Sequence, residues 1–428
     1  MPTTPILHNI PGSMMPVSGI DSDHDIRNPD RRAYPGARVR AAMPNYLWEA
    51  AQLSGTLFTL RAAFHAEPEL GNSEFQTAQR IEKTLHALGL ETERVTATAV
   101  VATLRGGLPG PTAALRADMD ALPLQEETGA PFASQTPGIM HACGHDVHIT
   151  AALGAAMLLA QRRETLPGTV RFLFQPDEEG NGGAKRMIEA GCLEGVDAVF
   201  GAHVTPELPA GHAAFRYGKF YAASDMFHLT VHGKGAHGAE REKGIDALAA
   251  AAQLTTRLLS LPTLIPGERS VVTVGALHAG TAGNILADTA VLDGILRTLG
   301  QDTRGAMKAR LLDACHIVEN ETGVTIDCGI RESYPGVVNH DRETALAETT
   351  AQTLLGAEHV HRIDAPSMTT EDFGYFLLEK PGTYYHIGAG CGVPLHNAAF
   401  LPAPECIVTA AALHAAVLHS YLLSHPTE

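Results

Sequence analysis

Long apolar runs, regularly spaced cysteines and positive charge are what this sequence has little of. It holds no uninterrupted run of about 18 apolar residues, the length a bilayer-crossing helix needs. Its N-terminus lacks the basic-then-apolar order of a signal peptide. The expectation is a cytoplasmic protein without a membrane partner. The six cysteines, at 143, 192, 315, 328, 391 and 406, follow no regular spacing, which speaks against the disulfide framework of a small secreted domain and suits a reducing compartment. Lysine and arginine total 31 against 47 for aspartate and glutamate, a formal charge of −16. Such a chain repels the phosphates of nucleic acid and of anionic lipid, so neither is expected as a partner. With 428 residues, 45% of them hydrophobic, it can fill two cores, or one large core with an insertion.

Residues 1–42 mix prolines, glycines and both charges without a helical or strand period, and are expected to form a flexible arm that carries no chemistry. From Tyr46 to about Leu88 the apolar spacing is helical. The stretches "TAALRADMD", "TVRFLFQPDEEG" and "AVFGAHV" read as buried strands ending in polar clusters, and they alternate with helices such as Ala151–Arg162. This order predicts an α/β domain with a mostly parallel central sheet over residues 43–221 and 334–428. Residues 222–333 follow a different order: strand, helix, strand, strand, helix, strand. That is the βαββαβ, ferredoxin-like sequence of a smaller domain inserted into the larger one.

In an open α/β sheet, ligands bind outside the carboxyl ends of the strands. Asp118 and Asp120 follow one predicted strand, Asp177, Glu178 and Glu179 a second, and His203 a third. The stretch "MHACGHDVHIT" adds Cys143, His145 and His148. Thiolate, imidazole and carboxylate groups converging on one sheet edge suit zinc and its neighbours, with manganese favoured by the carboxylates. A bridged pair of ions lowers the pKa of a water and polarises a carbonyl, which is the equipment of hydrolysis. Of two adjacent glutamates just past a strand, one can ligate while the other accepts the water's proton. Plainer readings exist for each residue. A single buried cysteine is commonly core, and "DEEG" by composition is a surface turn, although its place directly after "VRFLF" argues for a site. Asp118 could equally cap a helix, and His148 reads as a packing or supporting residue rather than a ligand.

The stretches "HAEPELGNSEFQT", "RADMDALPLQEETG", "MHACGHDVH", "FQPDEEG", "GAHV", "GTAGNILADTAVLDGILRT", "TTEDFGYF" and "PLHNAAF" occur in that order. From about residue 46 to 424 the chain resembles the M20 metallopeptidases. It looks most like their amidohydrolase branch, which holds hippurate hydrolases, indole-acetyl-amino-acid hydrolases and N-acyl-amino-acid deacylases. The resemblance implies a zinc-peptidase-like catalytic domain with an inserted lid and dimerisation domain. It also implies two divalent metal ions per chain, zinc or manganese first and cobalt or nickel as alternatives.

By the same resemblance Cys143 bridges the ions, with His145, Glu179, His203 and His396 completing the shell. Glu178 is the general base and later the acid, and Asp120 orients the cluster without ligating. His237 in "GKGAHG" reaches the scissile carbonyl of the neighbouring subunit in a homodimer, while Asn284 and Arg297 hold the substrate's carboxylate. The implied reaction splits an N-acyl amino acid into a carboxylic acid and a free amino acid. A dipeptidase or carboxypeptidase with the same metals, and a non-catalytic metal-binding protein with the same fold, stay open beside it. Two departures stand out. Arg241 and Glu242 in "HGAEREKG" occupy the place where the family usually has a proline and a second histidine, which bears on lid closure and substrate preference. Asp177 stands where alanine is common, and is expected to add negative charge near the metals.

Overall fold

The structure, a computed structural model, describes residues 44–265 and 267–425; the arm expected over 1–42 lies outside the described residues. In chain order the strands are β1 (Glu91–Arg94), β2 (Val100–Arg105), β3 (Leu108–Asp118), β4 (Pro167–Gln175), β5 (Ala198–Thr205), β6 (Ala213–Phe215) and β7 (Gly218–Tyr221). Then come β8 (Ala223–His232), β9 (Ser270–Ala279), β10 (Thr289–Thr298), β11 (Thr325–Glu332), β12 (Val337–Asn339), β13 (Val360–Arg362) and β14 (Gly382–Gly388).

The large sheet runs β1-β2-β4-β3-β5-β14-β6-β13. Its centre, β4-β3-β5-β14, is parallel throughout, while β1, β2 and β4 pair antiparallel at one side and β6 lies antiparallel to β14 at the other. Parallel central strands are covered on both faces and so read as continuous apolar runs rather than as alternations; every residue of β5 is buried. Their shared direction brings Asp118, Gln175 and His203 to one edge.

Two helices, His145–Ala160 and Glu405–Ser424, pack on each other and on this sheet. The second holds no uninterrupted run of about 18 apolar residues. It is long and apolar enough by length and composition to cross a membrane, with a mean hydropathy of 1.7, yet 89% of that window is buried inside the fold. A helix that is apolar all round is a core helix when protein surrounds it. Its two interior histidines are matched locally: Tyr385 pairs with His414 at 2.8 Å and Tyr46 with His419 at 2.7 Å. The first helix starts at His145, ahead of Ala151. Its opening residues His145, Asp146 and His148 are buried like the apolar ones, so no polar face marks the helix start.

The inserted segment forms a second sheet, β11-β8-β10-β9, antiparallel throughout. Phe227, Leu229 and Val231 of β8 point into a core shared with the helices Ala247–Ser260 and Gln301–Thr322, whereas Met226, His228 and His232 are exposed. The period of two is that of a sheet covered on one face only. Where the two units meet, β7 and β12 form a two-stranded ribbon. Close by, Arg304 donates to both oxygens of the buried Asp225, at 2.9 and 2.7 Å.

Candidate metal centre

Gly144 precedes the helix His145–Ala160 with φ +90°, and a Cβ there would lie 2.5 Å from the Val204 side chain. Only glycine lets the chain pass so close beneath β5 in this conformation, and the passage sets Cys143 and His145 under the end of that strand. The His203 Nε2 lies 3.3 Å from the Cys143 Sγ. From the loop before the last helix, His396 Nε2 comes to 3.4 Å of the same sulfur and 3.1 Å of Glu179 Oε1. His396 adopts φ +59°, a conformation costly for a side chain of this kind and frequent at functional sites.

Of the groups of donor atoms that result, two contain Cys143. Cys143, His145 and His203 form one, and Cys143, Glu179 and His396 the other, with atoms in each within 4.8 Å of one another. They share the sulfur. The histidine rings are oriented from behind: His145 Nδ1 donates to the Asp120 carbonyl at 2.8 Å and His203 Nδ1 to the Val204 carbonyl at 2.7 Å. Each Nε2 therefore faces the cluster, the arrangement that metal-binding histidines use. The His145 Nε2 is buried with no hydrogen-bond partner, as a ligand atom would be. His148 is different, because Asp118 takes one ring nitrogen at 2.6 Å and the Val204 N–H the other at 3.0 Å.

The electrostatics also fit a cation. Burial, followed by the Glu179 and Glu178 carboxylates, holds the Cys143 thiol well above its ordinary value, so without a cation the sulfur keeps its proton. Burial pulls His145 down, but Asp118, Asp120 and Glu179 outweigh it and raise the ring to about 10. A dication at the cluster would reverse both states, since ligation needs thiolate and neutral imidazole.

The loop between β4 and the following helix carries the glutamates. The Asp120 carboxylate accepts the Glu178 N–H with one oxygen and the Glu179 N–H with the other, both at 3.0 Å. Asp177, at φ +60°, donates its N–H to the buried Glu74 at 2.9 Å. The Asp177 carboxylate does not add charge at the cluster as expected: Arg186 pairs with it at 2.8 Å, and its oxygen fills the space left by Gly71 and Gly180.

Burial, chiefly, raises Glu74 from 4.5 to about 7. A carboxyl raised in the folded state contributes full stability below its unfolded pKa and loses it as pH rises through the folded one. The thermal midpoint of the metal-free Glu74→Gln variant should therefore gain on wild type between pH 4.5 and 7, by the equivalent of at most roughly 3 kcal/mol. Parallel midpoint–pH curves for the two proteins would refute this.

Beneath the glutamates lies Arg116, with a side chain only 1% exposed. It donates to Asp118 at 2.6 Å, to Asp372 at 2.8 Å and to Gln175 at 2.9 Å, and lies 3.1 Å from Glu371. Glu178, Glu371 and Asp372 themselves form a close acidic group. Sequence reasoning assigned no role to Arg116, Glu371 or Asp372. The available signal was an arginine inside an apolar central strand, which cannot stay buried without counter-charges.

A cavity of about 650 Å³ opens over the cluster; Cys143, Glu178, Glu179, His203 and His396 line it, and so does Arg297 from β10. One guanidinium nitrogen of Arg297 is buried without a partner, and burial lowers its pKa. His237 and Asn284 are not among the lining residues. They sit together at the far end of the inserted unit, where Gly238 donates to the Asn284 carbonyl at 2.7 Å and His237 bridges to Ile285, and both are exposed. The structure thus unites seven of the predicted site residues at or around the cavity, sets Asp120 behind them, and leaves His237 and Asn284 apart.

Residues 114–420 match the profile of peptidase family M20/M25/M40. The chain is 36% identical over 376 residues to thermostable carboxypeptidase 1 of Saccharolobus solfataricus, covering 85% of this chain and 95% of that one. It is 37% identical over 366 residues to N-acetyl-L-cysteine deacetylase of Bacillus subtilis, covering 84% and 86%. Among solved structures it resembles the Bacillus subtilis YXEP protein, described as a dinuclear metal binding peptidase from the M20 family, with a TM-score of 0.78 and 33% identity over 87% of this chain and 99% of that one. With its shared-sulfur donor cluster and these relatives, the chain belongs to the M20/M25/M40 peptidase family.

Proposed function

We propose that the protein is a binuclear metal-dependent amidohydrolase that splits N-acyl amino acids into a carboxylic acid and a free amino acid. The observation that carries this is Cys143, shared by two donor groups beside a glutamate that neither of them uses. Cys143, His145, Glu179, His203 and His396 would hold two divalent ions, zinc or manganese foremost and cobalt or nickel as alternatives. Such a pair lowers the pKa of a water and polarises a carbonyl oxygen.

The chain's own groups do the rest. Glu178 faces the cavity from a loop fixed by Asp120, and burial together with Glu371, Glu179 and Asp372 raises its proton affinity. It accepts the water's proton and returns it to the leaving amine. The unpaired fork of Arg297 suits the substrate's carboxylate with two parallel hydrogen bonds. His237 and Asn284 lie away from their own cavity, which is consistent with service to the cavity of a second subunit in a homodimer, with the inserted unit as lid. A cytoplasmic location is part of the same proposal.

A dipeptidase or carboxypeptidase is the second reading, since two relatives are named carboxypeptidases. A dipeptide brings its free amine into the cavity, and that amine needs an unengaged carboxylate there. Glu371 is there, but Arg116, the Phe373 N–H and the Tyr384 hydroxyl engage its oxygens, which favours the acylated substrate. The test is metal content together with hydrolysis of N-acetyl, N-benzoyl and indole-acetyl amino acids and of dipeptides, before and after chelation. About two ions per chain and chelator-sensitive release of amino acid from acylated substrates alone are expected. Cleavage of dipeptides in preference would move the assignment to the peptidase reading, and a metal-free, inactive chain would end both.

A further inference from the structure

Tyr334 stands where the chain leaves β11 and returns to the large sheet, and the chemistry above gives it no task. It is buried, and its hydroxyl donates to the backbone carbonyl of Glu178 at 2.7 Å, with the Gly180 carbonyl at 3.3 Å. The hydroxyl has one hydrogen, so the shorter contact holds most of it. Glu178 is thereby gripped from two sides: Asp120 of the large unit accepts its N–H, and Tyr334 of the seam donates to its C=O. The loop is shaped around the ring. Gly182 has φ +83°, and a Cβ there would lie 2.8 Å from the Tyr334 Cε1.

The backbone of Tyr334 belongs to the other side of the seam. Ser224 donates its N–H to the Tyr334 carbonyl at 2.9 Å and accepts the Ser333 N–H at 3.1 Å. On its opposite flank Ser224 is the cross-strand partner of Arg297. Arg297, Ser224 and Tyr334 are thus neighbours in one hydrogen-bonded set, and all three line the cavity. A shift of the four-stranded sheet against the large one carries the three together, and the hydroxyl passes that shift to the Glu178 carbonyl.

We infer that Tyr334 is a positioning residue that couples the seat of the substrate's carboxylate, Arg297, to the base Glu178. The inference rests on the amidohydrolase reading for the roles of those two residues. It makes alignment of the base depend on an anion being held by Arg297, so that a substrate lacking the carboxylate is bound without the base being set.

The experiment compares the metal-loaded full chain with its Tyr334→Phe variant, which keeps the ring and loses only the hydroxyl. Each is assayed on an N-acyl amino acid and on the corresponding C-terminal carboxamide. On the acid, kcat should fall roughly tenfold, the worth of one hydrogen bond, with KM, metal content and thermal midpoint essentially unchanged. On the carboxamide, variant and wild type should differ by less than about twofold, since the coupling is already idle there. In parallel, Arg297→Lys should lower kcat as well as raise KM, and the double variant should lose less than the product of the single losses. An unchanged kcat on the acid, a fall explained by lost metal, or equal falls on acid and carboxamide would overturn the inference. Failure of the amidohydrolase reading is seen separately, in the wild type. If it splits peptides instead, the same variant-to-wild-type ratio is taken on a peptide and its carboxamide; if it splits nothing, both conclusions fall.

Discussion

A Glu178→Gln variant should bind the wild-type complement of metal and turn over roughly a thousandfold more slowly. Glutamine keeps the shape of the side chain and leaves the Asp120 and Tyr334 contacts untouched, because both are made to the Glu178 backbone. It removes only the ability to take a proton. Cys143→Ala should behave in the opposite order. Its sulfur is common to both donor groups, so each ion position loses a ligand, and metal content falls together with activity. Elemental analysis beside kcat separates the two variants. Mild and equal losses in both would sink the assignment of roles. Loss of metal in Glu178→Gln would instead make that glutamate a ligand, as its proximity to His145 and Glu179 permits.

Replacing Arg116 should have the largest effect on stability. Among the described residues its guanidinium is the cation that contacts Asp118, Glu371 and Asp372 together, all of them buried, although Asp118 also pairs with His148. Methionine fills a similar volume but leaves these carboxylates without their counter-charge, at a cost of about 3–5 kcal/mol. The sign of the pH dependence follows from the acids. Burial raises Asp372 to about 7 even with Arg116 nearby; burial pushes Asp118 up as well, but Arg116, His145 and His148 together outweigh it and hold that carboxyl well below the carboxylate range. Without the arginine, both acids should bind protons more tightly in the folded chain. Arg116→Met should then be less destabilised at pH 5.5, where the carboxyls can protonate, than at pH 8. Chemical denaturation at the two values tests this. A loss below about 1 kcal/mol, or one equal at both pH values, would mean that the cluster is neutralised in some other way.

How far the site was readable depended on what kind of information each residue carries. The donor residues Cys143, His145, Glu179, His203 and His396 were marked by their chemical types and by their place after apolar strand runs, because ligands must be of a few kinds and open sheets present them at strand ends. The alternation of β8 and the order of elements in the insertion were equally visible, since periodicity is a local property. The complete burial of the helix start at His145 was hidden, because its polar residues are buried through partners elsewhere in the chain. What surrounds the helix Glu405–Ser424 was hidden for the related reason that its histidines are matched by Tyr46 and Tyr385 from outside the helix.

Residue types, local periods and the order of motifs therefore pointed to the class of fold, to the family and to a set of candidate metal-binding atoms. Tertiary structure alone decided which of them meet. It brought Arg116 against Glu371 and Asp372, more than 250 positions away, spent the charge of Asp177 on Arg186, and set His237 and Asn284 apart from the cavity of their own chain. It also placed the Tyr334 hydroxyl on the Glu178 carbonyl. The physical reason is that each of these contacts joins groups whose separation along the chain says nothing about their separation in space, and whose energies depend on burial that exists only once the two sheets have closed on their cores.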